Sequence, residues 1–139
     1  MSADVFLDTN ILIYAIEVDG PAPEKSAVAK GLVRRTDYSV STQVLGEFYR
    51  AVTSARRSVP LSHEDATAWV QLWKRNPVHS ITVAHVDLAI ELRKRFDIQY
   101  FDALIISAAR IAGCSKLFSE DLNPGQNDGG VTVSNPFKS

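Results

Sequence analysis

With 139 residues, 45% of them hydrophobic and 22% charged, the chain has the size and composition of one ordinary globular domain and none of the bias of a disordered or fibrous protein. Fifteen Lys and Arg against sixteen Asp and Glu leave a net charge of −1, which excludes a protein that coats nucleic acid through global basicity. A single Cys114 rules out an internal disulfide, the N-terminus has no basic region followed by an apolar one, and the nearly apolar run Ala103 to Cys114 falls short of the ~20 residues that span a bilayer; a cytoplasmic protein without a membrane segment is expected.

Val5-Phe6-Leu7 reads as a short buried strand, and apolar residues recur at helical spacing from Asn10 to Glu17. Asp19-Gly20-Pro21-Ala22-Pro23 then breaks the chain. Glu24 to Arg35 is helix-compatible, and Tyr38-Ser39-Val40 is a second strand candidate. Ser41 or Thr42 is placed to cap a helix from Gln43 to about Arg57, which carries Val44, Leu45, Phe48, Tyr49 and Val52 on one face before Ser58-Val59-Pro60 ends it. Ser62 with Asp65 forms a capping-box pattern ahead of a helix containing Trp69, Leu72 and Trp73, stopped by Asn76-Pro77. A strand is predicted around Ser80-Ile81-Thr82-Val83, then an amphipathic helix from Val86 to Phe96. Asp102 to Ala112 is apolar nearly all round and predicts a buried helix ending at Gly113. Lys116 to Ser119 and Val131 to Val133 are the final strands, joined by a loop from Glu120 to Gly130. Strands alternating with helices predict an α/β fold, three-layer α/β/α, with a mainly parallel central sheet and helices on both faces.

Ligand sites in open parallel sheets gather beyond the carboxyl ends of the strands. Asp8 directly follows the first strand, Asp121 lies two residues after Ser119, and Asp102 opens a helix whose N-terminus faces the same edge. Glu47 lies early in its helix, where long side chains lean back toward the N-terminus. Four carboxylates in one place repel each other unless a cation joins them, and an all-oxygen donor set suits Mg²⁺ or Mn²⁺. Each acid also has a plain structural use: Asp8 as a helix N-cap, Asp102 at a helix dipole, Asp121 in a turn, Glu47 in solvent. Against that, Glu47 is flanked by Leu45 and Phe48, and Asp102 follows Tyr100-Phe101, in segments built for burial.

Other chemistries fit less well. There is no phosphate-binding glycine loop, and His63, His79 and His85 lack ligand or triad spacing; they read as structural or exposed. Cys114 reads as a small buried hydrophobe, and Trp69 and Trp73 as packing or interface residues. The basic clusters Arg34-Arg35, Arg56-Arg57, Lys74-Arg75 and Arg93-Lys94-Arg95 read as helix-end charges on solvated faces. A phosphoacceptor receiver needs paired acids after its first strand, and a phosphatase with an Asp8 nucleophile wants an acid two positions later, where this chain has Asn10.

The order and spacing of these motifs resemble the PIN domain, and within it the VapC-like toxins of bacterial and archaeal toxin–antitoxin pairs. Val5-Phe6-Leu7-Asp8-Thr9-Asn10 is similar to the family's opening strand and first acid, and Ser41 to Phe48 to the helix bearing the second. Asp102-Ala103-Leu104-Ile105-Ile106 resembles the third motif, Phe118-Ser119-Glu120-Asp121-Leu122 the fourth, and Val133-Ser134-Asn135-Pro136-Phe137 the family's ending. The resemblance covers nearly the whole chain and implies a single PIN-like nuclease domain over residues 1–139. It implies a metal-dependent endoribonuclease acting on structured RNA, with a VapB-like antitoxin and a homodimer as partners. Asp8, Glu47, Asp102 and Asp121 would be its catalytic metal ligands, with Glu120 able to share or replace the role of Asp121. Thr9, Asn10 and Ser119 would orient ligands and water. In such a reaction water attacks phosphorus in line while the cation offsets charge on the nonbridging and leaving oxygens. The alternative is a PIN-like RNA- or protein-binding module without cleavage.

Overall fold

The computed structural model describes residues 4–35, 37–123, 127–128 and 130–138. Within them the chain runs β1 (Val5–Leu7), α1 (Thr9–Ala15), α2 (Pro23–Arg35), β2 (Tyr38–Ser41), α3 (Thr42–Thr53) and α4 (His63–Trp73). It continues through β3 (Val78–His79), α5 (Val83–Phe96), α6 (Tyr100–Ile111), β4 (Lys116–Phe118), β5 (Asn127–Asp128) and β6 (Val131–Ser134). The sheet order is β3-β2-β1-β4-β6-β5, parallel throughout except for β5 against β6. The result is the three-layer α/β/α architecture expected from the alternation of elements.

Chain direction in the sheet explains where a site can form. The chain moves outward from β1 to β2 and β3, then returns to the other side of β1 with β4 and β6. The order therefore reverses between β1 and β4, and helices leaving those strands diverge and open a crevice there. Leu7 pairs with Phe118 at the carboxyl end of this junction, and the Asp8 amide donates to the Phe118 carbonyl at 3.0 Å. Asp8 and Ser119 are thus the first residues beyond the strands, on the crevice floor.

The core explains why these short strands hold. Phe6, Leu7, Val40 and Leu117 are fully buried, as expected for central parallel strands covered on both faces. Phe48 and Val44 bring α3 onto this core, and Phe48 meets Trp73 of α4 edge-on at 5.8 Å. Trp69 and Trp73 stack at 5.5 Å, a packing role. Burying one such side chain contributes about 2–3 kcal/mol, so the site's scaffold rests on α3 and the central strands more than on any loop.

Local capping corrects several expected boundaries. The strand expected at Ser80 to Val83 instead lies at Val78–His79, paired with Val40 and Ser41. The β-branched run that suggested a strand is overridden because the Thr82 amide donates to His85 Nδ1 at 3.0 Å, which starts α5 at Val83. The α3 helix stops at Thr53 rather than near Arg57, since Ser54 is extended and the Leu61 amide takes the Val52 carbonyl at 2.8 Å. Part of the expected Glu120 to Gly130 loop is strand β5, which pairs antiparallel with β6; residues 124–126 and 129 of that loop lie outside the described residues. Ser41 and Ser62 cap α3 and α4 through the Val44 and Asp65 amides. Gly113 follows α6 at a φ of 79°, the left-handed conformation that a C′ glycine adopts without strain. The basic run Arg93, Lys94 and Arg95 occupies the last turn of α5, and Arg57 pairs with Glu17 at 3.0 Å.

Candidate active site

Four segments distant in sequence line one cleft of about 370 Å³ at the β1/β4 switch point, and Asp8, Glu47, Asp102 and Asp121 all face it. A larger concavity of about 410 Å³ lies over Trp69 and Trp73, but no carboxylate lines it. Chemistry therefore favours the smaller cleft.

Asp8 is at once the N-cap of α1 and the most deeply set of the four acids. Its Oδ1 accepts from the Thr9 amide at 2.7 Å and its Oδ2 from the Ser119 hydroxyl at 2.7 Å. Only 8% of the residue is exposed, so burial drives its pKa up to about 6 from 3.8; those two hydrogen bonds oppose the rise, and the nearby charges of Glu47 and Asp121 add to it. Helix capping and a place in the cleft, two separate uses of Asp8, are thus served by one carboxylate.

Glu47 extends from the second turn of α3, where Ser41 capping fixes the helix start. The Thr9 hydroxyl donates to its Oε1 at 2.8 Å and the Gln43 amide to its Oε2 at 3.1 Å. Gln43 also donates to the Phe101 carbonyl at 3.2 Å, tying α3 to the first turn of α6. Asp102 is the third residue of that helix rather than its opening residue, because α6 begins at Tyr100. Burial raises the Asp102 pKa, and the charges of Asp121 and Glu47 raise it further.

After β4 the chain turns through Ser119, whose hydroxyl receives the Asp121 amide at 3.2 Å while donating to Asp8. The Asn10 side-chain amide donates to Asp121 Oδ2 at 3.1 Å, and its carbonyl oxygen accepts from the Glu120 amide at 3.2 Å. Glu120 points elsewhere: it lies outside the cleft lining, accepts from Tyr14 at 2.8 Å and pairs with Lys25. Burial raises its pKa, but the Lys25 and Tyr14 hydrogen bonds outweigh that and lower it overall. The geometry gives Glu120 no position from which to replace Asp121.

Two neighbours of Glu47 escaped the sequence reading. Arg50 lines the cleft and Gln43 donates to Glu47; they stand three residues after and four before it on α3, so both share its face. That spacing was the available signal.

The donor set is entirely carboxylate, hydroxyl and amide oxygen, and the pKa values of Asp8 and Asp102 are both raised, first by burial and further by the neighbouring acids. Such uncompensated negative charge fits a hard divalent cation. Among the described residues no three acids close into a ready-made cage; they form an open ring around the cleft.

A model of the PIN domain matches residues 5–128. No curated protein sequence matches the chain. Among solved structures, a toxin–antitoxin complex from Klebsiella pneumoniae is similar at 16% identity with a TM-score of 0.69, covering 95% of this chain and 97% of that one. VapC20 of Mycobacterium tuberculosis, a sarcin-ricin loop cleaving toxin, is similar at 23% identity and TM-score 0.66, with 84% and 91% of the two chains covered. VapBC2 from Rickettsia felis, bound to a fragment of promoter DNA, follows at 19% identity and TM-score 0.63, over 94% and 97%. At these identities the structural likeness speaks for the fold. The match over residues 5–128, on a chain whose switch point gathers four acids, shows that the protein belongs to the PIN domain family.

Proposed function

We propose that the protein is a metal-dependent endoribonuclease, the toxin of a VapBC-type toxin–antitoxin pair, built as one PIN-like domain over residues 1–139. The observation that carries this reading is the convergence of Asp8, Glu47, Asp102 and Asp121 on one cleft in a PIN-family chain. Asp8, Glu47 and Asp102 are the residues to hold Mg²⁺ or Mn²⁺, with Asp121 completing the set. When bound, such a cation supplies Lewis-acid stabilisation of charge developing on a phosphodiester under attack by water.

The chain's own groups prepare for that. Ser119 and the Thr9 amide fix both oxygens of Asp8, and each oxygen keeps a further lone pair. Thr9 and Gln43 hold the two oxygens of Glu47 in the same way, and Asn10 holds Asp121. Three of the four acids are thus kept in place by neutral donors, which pays the entropy of ordering before substrate arrives. The apolar side chains of Ile13 and Ile105 in the lining limit water on that side of the cleft.

Toxin–antitoxin complexes among the similar structures support an antitoxin partner, and a homodimer is the expected assembly. No described helix is long and apolar enough to cross a membrane. A cytoplasmic site of action is part of the proposed reading. Purified protein should cleave RNA when Mg²⁺ or Mn²⁺ is added and cease to do so in a chelator. Cleavage by wild type with none by Asp8→Asn supports the reading. RNA binding without cleavage under every divalent cation tested would leave a binding module in its place.

A further inference from the structure

The cleft presents four carboxylates to a polyanionic substrate, and a single divalent cation offsets only half of that charge. One residue of the lining carries the opposite sign. Arg50 lies three positions after Glu47 on the cleft-facing side of α3 and is exposed. Among the described residues its guanidinium has no ion pair or hydrogen bond, although Glu47 and Asp121 line the same cleft; Arg57 and Lys25, by contrast, are paired with Glu17 and Glu120. A cation left free within an acidic cleft is available to an incoming ligand.

Resting on the nuclease reading above, we propose that Arg50 grips a phosphate of the RNA strand adjacent to the one being cut, and so sets the strand's register across the four acids. Guanidinium suits this task because its planar fork meets two phosphate oxygens at once and stays charged at every working pH. Arg50 also belongs to the last turn of α3, where a positive charge offsets the helix dipole. That role alone predicts an effect on melting and none on RNA.

The test uses the full chain with Mg²⁺ and a short fluorescein-labelled single-stranded RNA of mixed sequence, cleaved at several salt concentrations by wild type, Arg50→Ala and Arg50→Lys. Loss of one charged contact should raise KM roughly ten- to hundredfold. The kcat should change much less, and the slope of log(kcat/KM) against log salt should become shallower by about 0.7, one phosphate's share for a single strand. Arg50→Lys should restore the slope and only part of KM, since it keeps the charge and loses the fork. Where the Ala variant melts early, Arg50→Gln keeps most of the side-chain stem without its charge and gives the same comparison. An unchanged KM and slope in a folded variant, beside an active wild type, overturns the proposal and leaves the nuclease reading standing. A fall in kcat with KM unmoved overturns it too, because the contact would not hold the ground-state strand. Wild type that cleaves no RNA overturns both.

Discussion

Asp8→Asn should abolish cleavage yet make the metal-free protein more stable at alkaline pH. In the native state the Asp8 carboxyl is pushed up to about 6 against an ordinary 3.8, because burial outweighs the hydrogen bonds from Ser119 and Thr9. A folded pKa above the unfolded one means the folded chain holds the proton more tightly. Stability from this group is therefore greatest below about pH 4 and is lost as pH rises through about 6. The gap of roughly two units corresponds to about 3 kcal/mol against folding once both states are ionised. Asn removes that charge but retains one acceptor oxygen for two donors; the Ser119 hydroxyl can rotate, so the mismatch costs about 1 kcal/mol. The net gain of about 2 kcal/mol is roughly 5–10 °C in melting temperature for a chain of this size. Thermal melting in chelator at pH 8 should show the variant above wild type, with the difference nearly gone at pH 4. Adding Mg²⁺ should raise wild type and leave the variant almost unmoved, narrowing the gap. A variant that melts below wild type at pH 8, or a difference identical at both pH values, would refute the claim that Asp8 is held charged at a cost.

Glu47→Gln and Asp102→Asn should each remove nearly all cleavage, and the double variant should be little worse than either, because groups that share one cation and one transition state are not additive; single-turnover rates check this, and full additivity would separate the two residues into different sites. Phe48→Ala, which empties a fully buried position against Trp73, should cost about 3–5 kcal/mol in urea unfolding while leaving the KM of the surviving folded fraction unchanged. Lys25→Met should leave the cleavage rate within about twofold, as expected if Glu120 serves the loop through Lys25 and Tyr14 rather than the cleft; a loss of kcat comparable to that of Asp121→Asn would return Glu120 to the site.

Much of this architecture was legible where periodicity and capping agree. Val5 to Leu7, the Phe48 face of α3 and the apolar α6 with Gly113 behind it are written in apolar spacing, and that spacing alone puts Asp8, Asp102 and Asp121 near one sheet edge. The failures have a common cause in individual hydrogen bonds that spacing does not reveal. Thr82 and His85 close a helix start inside a β-branched run, and the Leu61 amide claims the Val52 carbonyl beyond the end of α3. Glu120 and Asp121 are neighbours with equal claims in sequence; only the partner of each, Lys25 for one and Asn10 for the other, tells them apart. Arg50 went unread because isolated basic residues carry no pattern until the face they occupy is known.

The pairing of β1 with β4 also sets a timetable. Asp8 is made almost first, but Ser119, which donates to it, comes 111 residues later. At about 5–20 residues per second of synthesis, roughly 5–20 s separate the two. Until Lys116 to Phe118 has emerged, β1 lacks one neighbour in the sheet and the floor of the cleft has only one side. Contacts of such long range also form slowly once the chain is free. A nascent chain, or any fragment that stops before β4, therefore carries only three of the four acids and lacks the strand that completes the floor beneath them, and the completed cleft is among the last features the protein acquires.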